Sequence, residues 1–184
     1  MNTTSLYANV LTDRLLRSWS RCRRRAWLDL YGDNKERLWT AHRNLQLNQQ
    51  HLIFTKFLTK KVSSGKDAFQ NGAYGVHGVR LRGNAPNGQK LEAHPPLLKK
   101  VHGQSRWGDF AYQAVICFAG KRPTKEHRLS LALISYLLET FQGSSVLEGL
   151  ALGINPKGLK RERVKINQQL RGQLLKALDK LNAD

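Results

Sequence analysis

Apolar residues recur along the chain at two spacings, and the switch between them marks out the elements. From residue 12 to about 31, Leu16, Trp19, Ala26, Trp27 and Leu30 fall at helical intervals. Thr12 is placed to cap the first turn, and Gly32-Asp33-Asn34 to stop the last. A second helical pattern covers 36–60, with Leu38, Leu45, Leu52, Phe54 and Leu58 mostly on one face, and Ser63-Ser64-Gly65 ends it. The period then changes to two. Val79 and Leu81 alternate with Arg80 and Arg82, which predicts a strand over 76–82. Asn87-Gly88 is a hairpin signal, so 90–94 can return antiparallel, and 97–101 forms a third short strand. Residues 110–119 make the most apolar strand of the chain.

The second half repeats the switch. Thr124 caps a helix over 125–141 whose stripe is Leu129, Leu133, Tyr136, Leu137 and Phe141, closed by Gln142-Gly143. A strand over 145–154 follows, then a turn at Asn155-Pro156-Lys157-Gly158. The last helix spans 164–181, with Ile166, Leu170, Leu174, Leu178 and Leu181 along one side. The order is therefore α-α-β-β-β-α-β-α. Strand–helix–strand implies a right-handed crossover between parallel strands. The hairpin makes the sheet mixed, so the fold class is α/β with helices flanking a mixed sheet. The 184 residues suit a single domain. The expected division is a loose N-terminus over 1–9 and one domain over 10–184. Within it lie N-terminal helices in 10–62, the core sheet and helix in 76–155, and a C-terminal helix over 163–181.

Charge changes what this fold is expected to do. The net charge is +18 with a pI near 10.4. Self-repulsion of that size disfavours a compact chain unless an anionic partner offsets it, and nucleic acid is the commonest such partner. No stretch approaches the roughly 20 apolar residues of a membrane-spanning helix, and the N-terminus lacks the apolar core of a secretory signal. The expectation is a soluble, intracellular, cytoplasmic protein without a membrane partner. Cys22 and Cys117 form no CxxC pair, and two thiols cannot complete a four-thiolate metal site. Both are read as reduced and buried.

Three basic clusters stand out. Arg14, Arg17, Arg21, Arg23, Arg24 and Arg25 fall within twelve residues of the first helix. Guanidinium forks match phosphate geometry, and stacking like charges four apart costs the helix a little. Lys121, Arg122, Lys125 and Arg128 surround the Thr124 cap. Lys157, Lys160, Arg161, Arg163 and Lys165 are expected in a turn entering the last helix, where backbone N–H groups would add to phosphate attraction. Trp39 and Trp107 fit no apolar stripe and are candidates for stacking on a base.

Hydrolytic motifs are missing. There is no GxxxxGK[ST], GxGxxG, GxSxG, HxxxH or HExxH. His94 beside Glu92 and His102 beside Asp109 are weak metal candidates.

Four strings carry a family resemblance: "LLRSWSRCRRRAWLDLYGD" (15–33), "PPLLKKVHGQSRWGDFAYQAV" (95–115), "GKRPTKEHRL" (120–129) and "LETFQG" (138–143). Together with the element order, the chain resembles the RecB-like putative nuclease family of the PD-(D/E)XK superfamily over most of 10–155. The resemblance implies a restriction-endonuclease-like αβββαβ core. It also implies one or two Mg²⁺ or Mn²⁺ ions held by an Asp on one strand and a D/E-x-K on the next, since hard cations need oxygen ligands. The family's Asp falls on Pro96. Its D-x-K falls on Ile116, Cys117 and Phe118, its helical Gln on Arg128, and its early His only loosely on His51. The resemblance therefore implies a nuclease fold stripped of its catalytic groups, with no cofactor.

A nucleic-acid-binding protein without nuclease activity, serving as a subunit of a larger assembly, is the reading that joins this loss to the basic surface. One alternative is an active nuclease with Mg²⁺ or Mn²⁺ at a relocated site built from Glu92, Asp109 and Glu126. The other is a module whose basic faces meet an acidic protein.

Overall fold

The computed structural model describes residues 10–32 and 41–183, with side chains excepted at 41–43, 182 and 183. The expected loose segment 1–9 and Trp39 lie outside those residues. The chain runs β1 (Val10–Thr12), α1 (Asp13–Arg21), α2 (Arg23–Tyr31), α3 (Ala41–Phe57), β2 (Ser63–Ser64), α4 (Asp67–Gln70), β3 (Gly75–His77), β4 (Leu81–Asn84) and β5 (Lys90–Ala93). It continues through β6 (Leu97–Ser105), β7 (Gly108–Cys117), α5 (Lys125–Gln142), β8 (Glu148–Asn155), β9 (Gly158–Lys165) and α6 (Gln168–Ala183).

A six-stranded mixed sheet, ordered β2-β3-β6-β7-β8-β9, forms the centre. The hairpin β6–β7 is antiparallel, and α5 then crosses over so that β8 lies parallel to β7, with Val115 opposite Leu150. The succession α3, β3, β6, β7, α5, β8 is the expected αβββαβ core, and the fold class is α/β.

Side-chain alternation divides the sheet into two apolar faces. On one face Leu98, Tyr112, Ala114, Ile116 and Ala151 pack under α5, whose Leu129, Leu133, Ile134 and Leu137 are fully buried. Helices α1 and α6 and a small sheet, β1-β5-β4, close over α5. On the other face Leu97, Val115, Leu150 and Leu152 meet Ile53 and Phe57 of α3. Burying one such side chain is worth about 1.5–3 kcal/mol, so the central strands and α5 carry most of the stability.

Several expectations need correction. The first helix is two helices. Thr12 caps α1 as expected, its Oγ1 accepting from Leu15 N at 3.1 Å, but Cys22 is extended at φ −161° and splits the pattern. The break ends the line of like charge through Arg17, Arg21 and Arg25. It also leaves Trp27, Leu30 and Cys22 exposed, contrary to the expected buried stripe and thiol. The second pattern yields α3, but its Leu45 and Leu52 are exposed.

Residues 76–82 do not form one strand. Gly78, at φ +67°, turns the chain between β3 of the large sheet and β4 of the small one. The last helix does not begin at 163 or 164. Residues 158–165 pair antiparallel with β8 as β9, and α6 starts behind Asn167, whose Oδ1 accepts from Leu170 N at 2.9 Å. Trp107 does not offer itself to a base. It stacks on Phe69 at 5.2 Å and packs against Phe141 at 5.4 Å.

Candidate nucleic-acid interface

Strand β7 delivers the chain to one end of the sheet. Its ladder ends with Phe118 N donating to Leu152 O at 2.8 Å, and the basic turn from Gly120 to Pro123 leads into α5. Thr124 caps α5 in a capping box completed by His127, whose Nδ1 accepts from Thr124 N at 3.2 Å. The carboxyl ends of the parallel pair β7 and β8 open toward this turn, which is where open α/β sheets collect ligands.

The positions matched to the family's metal ligands lie here, and they are core. Ile116 is 6% exposed and Phe118 3% exposed. Pro96 immediately precedes the Leu97–Val115 pair, which sets it opposite Ile116. Phe118 lies so close over Gly153 that a Cβ there would stand 2.8 Å from Cζ of its ring. None of the three side chains carries an oxygen or nitrogen, so this set does not fit a hard cation. Arg128, at the family's helical Gln, and His51, its loose early His, are both exposed.

The basic groups around this end come from segments far apart in sequence. Helix α1 buries Leu15 and Leu16 and turns Arg14, Arg17 and Arg21 outward. Arg21 grips Glu126 of α5 with both arms of its fork, Nη2 lying 2.6 Å from Oε1 and Nε also bonded to Oε2. From the other side Lys160 of β9 donates Nζ to the Lys121 carbonyl at 2.5 Å, pairs with Glu162 at 2.6 Å and stands over the Phe118 ring. Lys121, Arg122, Lys125 and Arg128 are exposed, and none makes an ion pair among the described residues.

Glu126 is the acid inside this basic ring. Burial pushes its carboxyl up, but the hydrogen bond from Arg21 and the charges of Arg21 and His127 outweigh that, so it is held below the usual carboxylate range. Arg21 is correspondingly raised by the hydrogen bond to Glu126. His127 is held below its ordinary value, first by burial, with Arg21 and Arg17 adding to the effect against the pull of Glu126. Glu126 thus serves as the anchor that holds α1 to α5.

Arg21→Ala leaves that carboxylate buried without its partner. At pH 7 the variant is expected to lose about 1–2 kcal/mol in urea unfolding, the lower part of the usual range because Arg21 is half exposed. Glu126 titrates lower folded than unfolded. Its contribution is therefore complete above the ordinary carboxylate value and fades as pH falls through the folded one. The gap between the two proteins should close at acid pH, and a gap that persists there would contradict this role.

The other candidates separate. Arg23, Arg24 and Arg25 belong to α2, so the six arginines do not form one ridge. Lys157 lies in the β8–β9 turn. Arg161, Arg163 and Lys165 are strand residues of β9, not part of a helix entry, because the β8–β9 hairpin extends the sheet through them. The relocated site does not assemble. Glu92 is held in the small sheet by Arg82 at 2.8 Å, His94 at 2.8 Å and Arg80 at 3.5 Å. Asp109 is the second residue of β7, about 26 Å from Cys117 at the end toward Glu126, at a strand rise of roughly 3.3 Å per residue. Among the described residues no three His, Cys, Asp or Glu side chains gather as a metal site.

No family model matches the chain, and no curated protein does. Its fold has a solved counterpart. The chain is similar to the crystal structure of SSO0001, with a TM-score of 0.52 and 10% identity, covering 98% of this chain and 77% of that one. At that identity the likeness speaks for the fold alone. Among the described residues no helix is long and apolar enough to cross a membrane.

Sequence reasoning missed the meeting of Arg21, Glu126, Lys121 and Lys160, which are separated by up to 139 positions. Glu126 carried a signal. It is an acid in the first turn of a helix, where the macrodipole favours negative charge, and its nearest charged or titratable neighbours in sequence, Lys125, His127 and Arg128, are all basic.

Proposed function

We propose that this protein binds nucleic acid through phosphate contacts at the carboxyl end of β7 and β8, and that it does not cut what it binds. The observation that carries the reading is the convergence of α1, the 120–123 turn with the first turn of α5, and β9, with Lys160 bonded to the Lys121 backbone and Arg21 to Glu126. Lys121, Arg122, Lys125 and Arg128 add exposed positive charge around a helix N-terminus, a combination that attracts phosphate. The resemblance to RecB-like nucleases supplies an ancestry in which this end of the sheet handled nucleic acid. Ile116 and Phe118 stand where that chemistry would need an acid and a lysine. In this reading the protein works inside the cell as a binding subunit, without Mg²⁺ or Mn²⁺. Among the described residues the carboxylates of the relocated-nuclease alternative are not brought together. The acidic-protein alternative draws on the same exposed charge, and co-purification with protein but not nucleic acid after nuclease treatment would favour it instead.

The test is a fluorescence anisotropy titration with single-stranded and duplex oligonucleotides between about 50 and 200 mM salt, with Mg²⁺ or Mn²⁺ present and absent. Log affinity should fall linearly with log salt, by roughly 0.7 to 0.9 per phosphate contact. The oligonucleotide should be recovered intact. Absence of binding at the lowest salt, an affinity flat across the range, or cleavage products would each overturn the proposal.

A further inference from the structure

Strand β9 ends the strand order of the large sheet, and its alternation sends charge to both faces. Lys160 lies on the α5 face beside Lys121. Arg161, one residue on, is opposite Leu152 and reaches the α3 face, where its Cζ lies 5.4 Å from the centre of the Phe57 ring. Lys99 of β6 approaches the same ring, with Nζ at 5.1 Å. The same Lys99 is 5.8 Å from the Tyr74 ring, and Lys60 approaches that ring at 5.9 Å. Phe57 is 4% exposed, so its ring is fixed, and Tyr74 is held through its hydroxyl, 3.2 Å from Thr59 Oγ1.

These contacts make an organised group rather than scattered surface lysines. Lys99 and Arg161 lie within about 11 Å of each other, since both approach one ring. Neither they nor Lys60 form an ion pair among the described residues. Cations spend conformational freedom to sit over aromatic faces, and like charges brought together repel; an anion arriving at the group relieves that repulsion. Along a nucleic-acid strand, a separation of up to about 11 Å spans no more than roughly three nucleotide steps at 3.4 Å of axial rise, so both cations can be reached by one short stretch of backbone. Arg163 and Lys165 follow on the same face of β9.

We infer that the α3 face carries a second phosphate-binding site formed by Lys60, Lys99 and Arg161, occupied by the same nucleic acid that is held at the α5 end once it passes the β9 edge. This rests on the proposed function. It adds a site on the opposite face of the sheet from the positions that match the family's metal ligands. Lys160 and Arg161 are the step between the two, one residue apart and on opposite faces.

The experiment compares the wild-type chain with Lys99→Gln/Arg161→Gln on labelled single strands of about 6 and about 20 nucleotides, bracketing the site sizes usual for such surfaces. The charge-preserving Lys99→Arg/Arg161→Lys serves as a control for packing against Phe57. With the long strand, the Gln variant should bind about 10-fold or more weakly. Its salt slope should be shallower by roughly 1.4, two contacts at 0.7 each. The short strand should bind it as it binds wild type, and the control should keep most of the long-strand affinity. Unchanged long-strand binding by the Gln variant, or equal weakening on both lengths, overturns the second site while leaving the first intact. A wild-type chain that binds neither strand removes the underlying function itself, and the second site with it.

Discussion

Ile116→Asp is expected to destabilise the protein by about 4 kcal/mol or more, and to confer no nuclease activity. The substitution places a carboxylate at the position that matches the acid of the RecB-like pattern the sequence resembles. That position is 6% exposed and packed with Ala114, Phe118 and the α5 leucines. Losing the isoleucine forfeits about 1.5–3 kcal/mol of burial, and an unpaired carboxylate in an apolar site adds several more. For a domain of this size each kcal/mol moves Tm by about 2–4 °C, so a drop on the order of 10 °C or a failure to fold follows. The new carboxyl would titrate above its ordinary value. The variant should therefore regain stability as pH falls and lose it as pH rises through the unfolded value. Ile116→Val, which keeps the apolar fill, should cost only about 0.5–1.5 kcal/mol. A well-folded Ile116→Asp protein that cleaves DNA or RNA with Mn²⁺ would show that this end of β7 remains an active site in waiting.

Reversing charge at the convergence should cost binding while leaving the fold. In Lys121→Glu/Arg122→Glu/Lys160→Glu the three positions lie on the turn before α5 and on β9, and Lys160 links them through the Lys121 carbonyl. Each exposed charge near a phosphate contributes about 1 kcal/mol, and three of them about 100-fold in affinity, before the added repulsion of the new acids. The native contacts given up are the Lys160–carbonyl hydrogen bond, the Lys160–Glu162 pair at 2.6 Å and the approach of Lys160 to the Phe118 ring, all made by a partly exposed side chain. Unfolding stability should stay within about 1 kcal/mol of wild type. Retained affinity in this variant would place the binding surface elsewhere.

The parts of the fold that periodicity made legible are those where apolar residues dominate. Strand β7 shows through the apolar run that begins at Ala114, helix α5 shows as a full helical stripe, and Asn87-Gly88 does mark the β4–β5 hairpin. Strand β9 was hidden because its period of two is written in charge. Arg161, Arg163 and Lys165 face one side while Lys160 and Glu162 face the other, with only Leu159 and Val164 to signal a strand. The division of 76–82 between two sheets turns on the backbone of one glycine, Gly78, which no apolar pattern reports. The break at Cys22 leaves both flanking segments helical, so their periodicity reads on through it. The interface was legible as ingredients only. Three basic clusters and one acid were visible, but the crossover that brings β9 beside the 120–123 turn, and α1 against α5, is a property of topology. Lys160 and Arg161 illustrate the limit. They are adjacent in one basic cluster, and the strand sends them to opposite faces.

The most direct test of the central claim is the salt slope of binding, measured for the wild-type chain and for the Lys121, Arg122 and Lys160 reversal variant on the same oligonucleotide. If these three side chains contact phosphates, the wild-type slope of log affinity against log salt should be steeper by about 2 to 3, three contacts at roughly 0.7 to 0.9 each. Equal slopes for the two proteins would contradict the claim that nucleic acid is held at this end of the sheet.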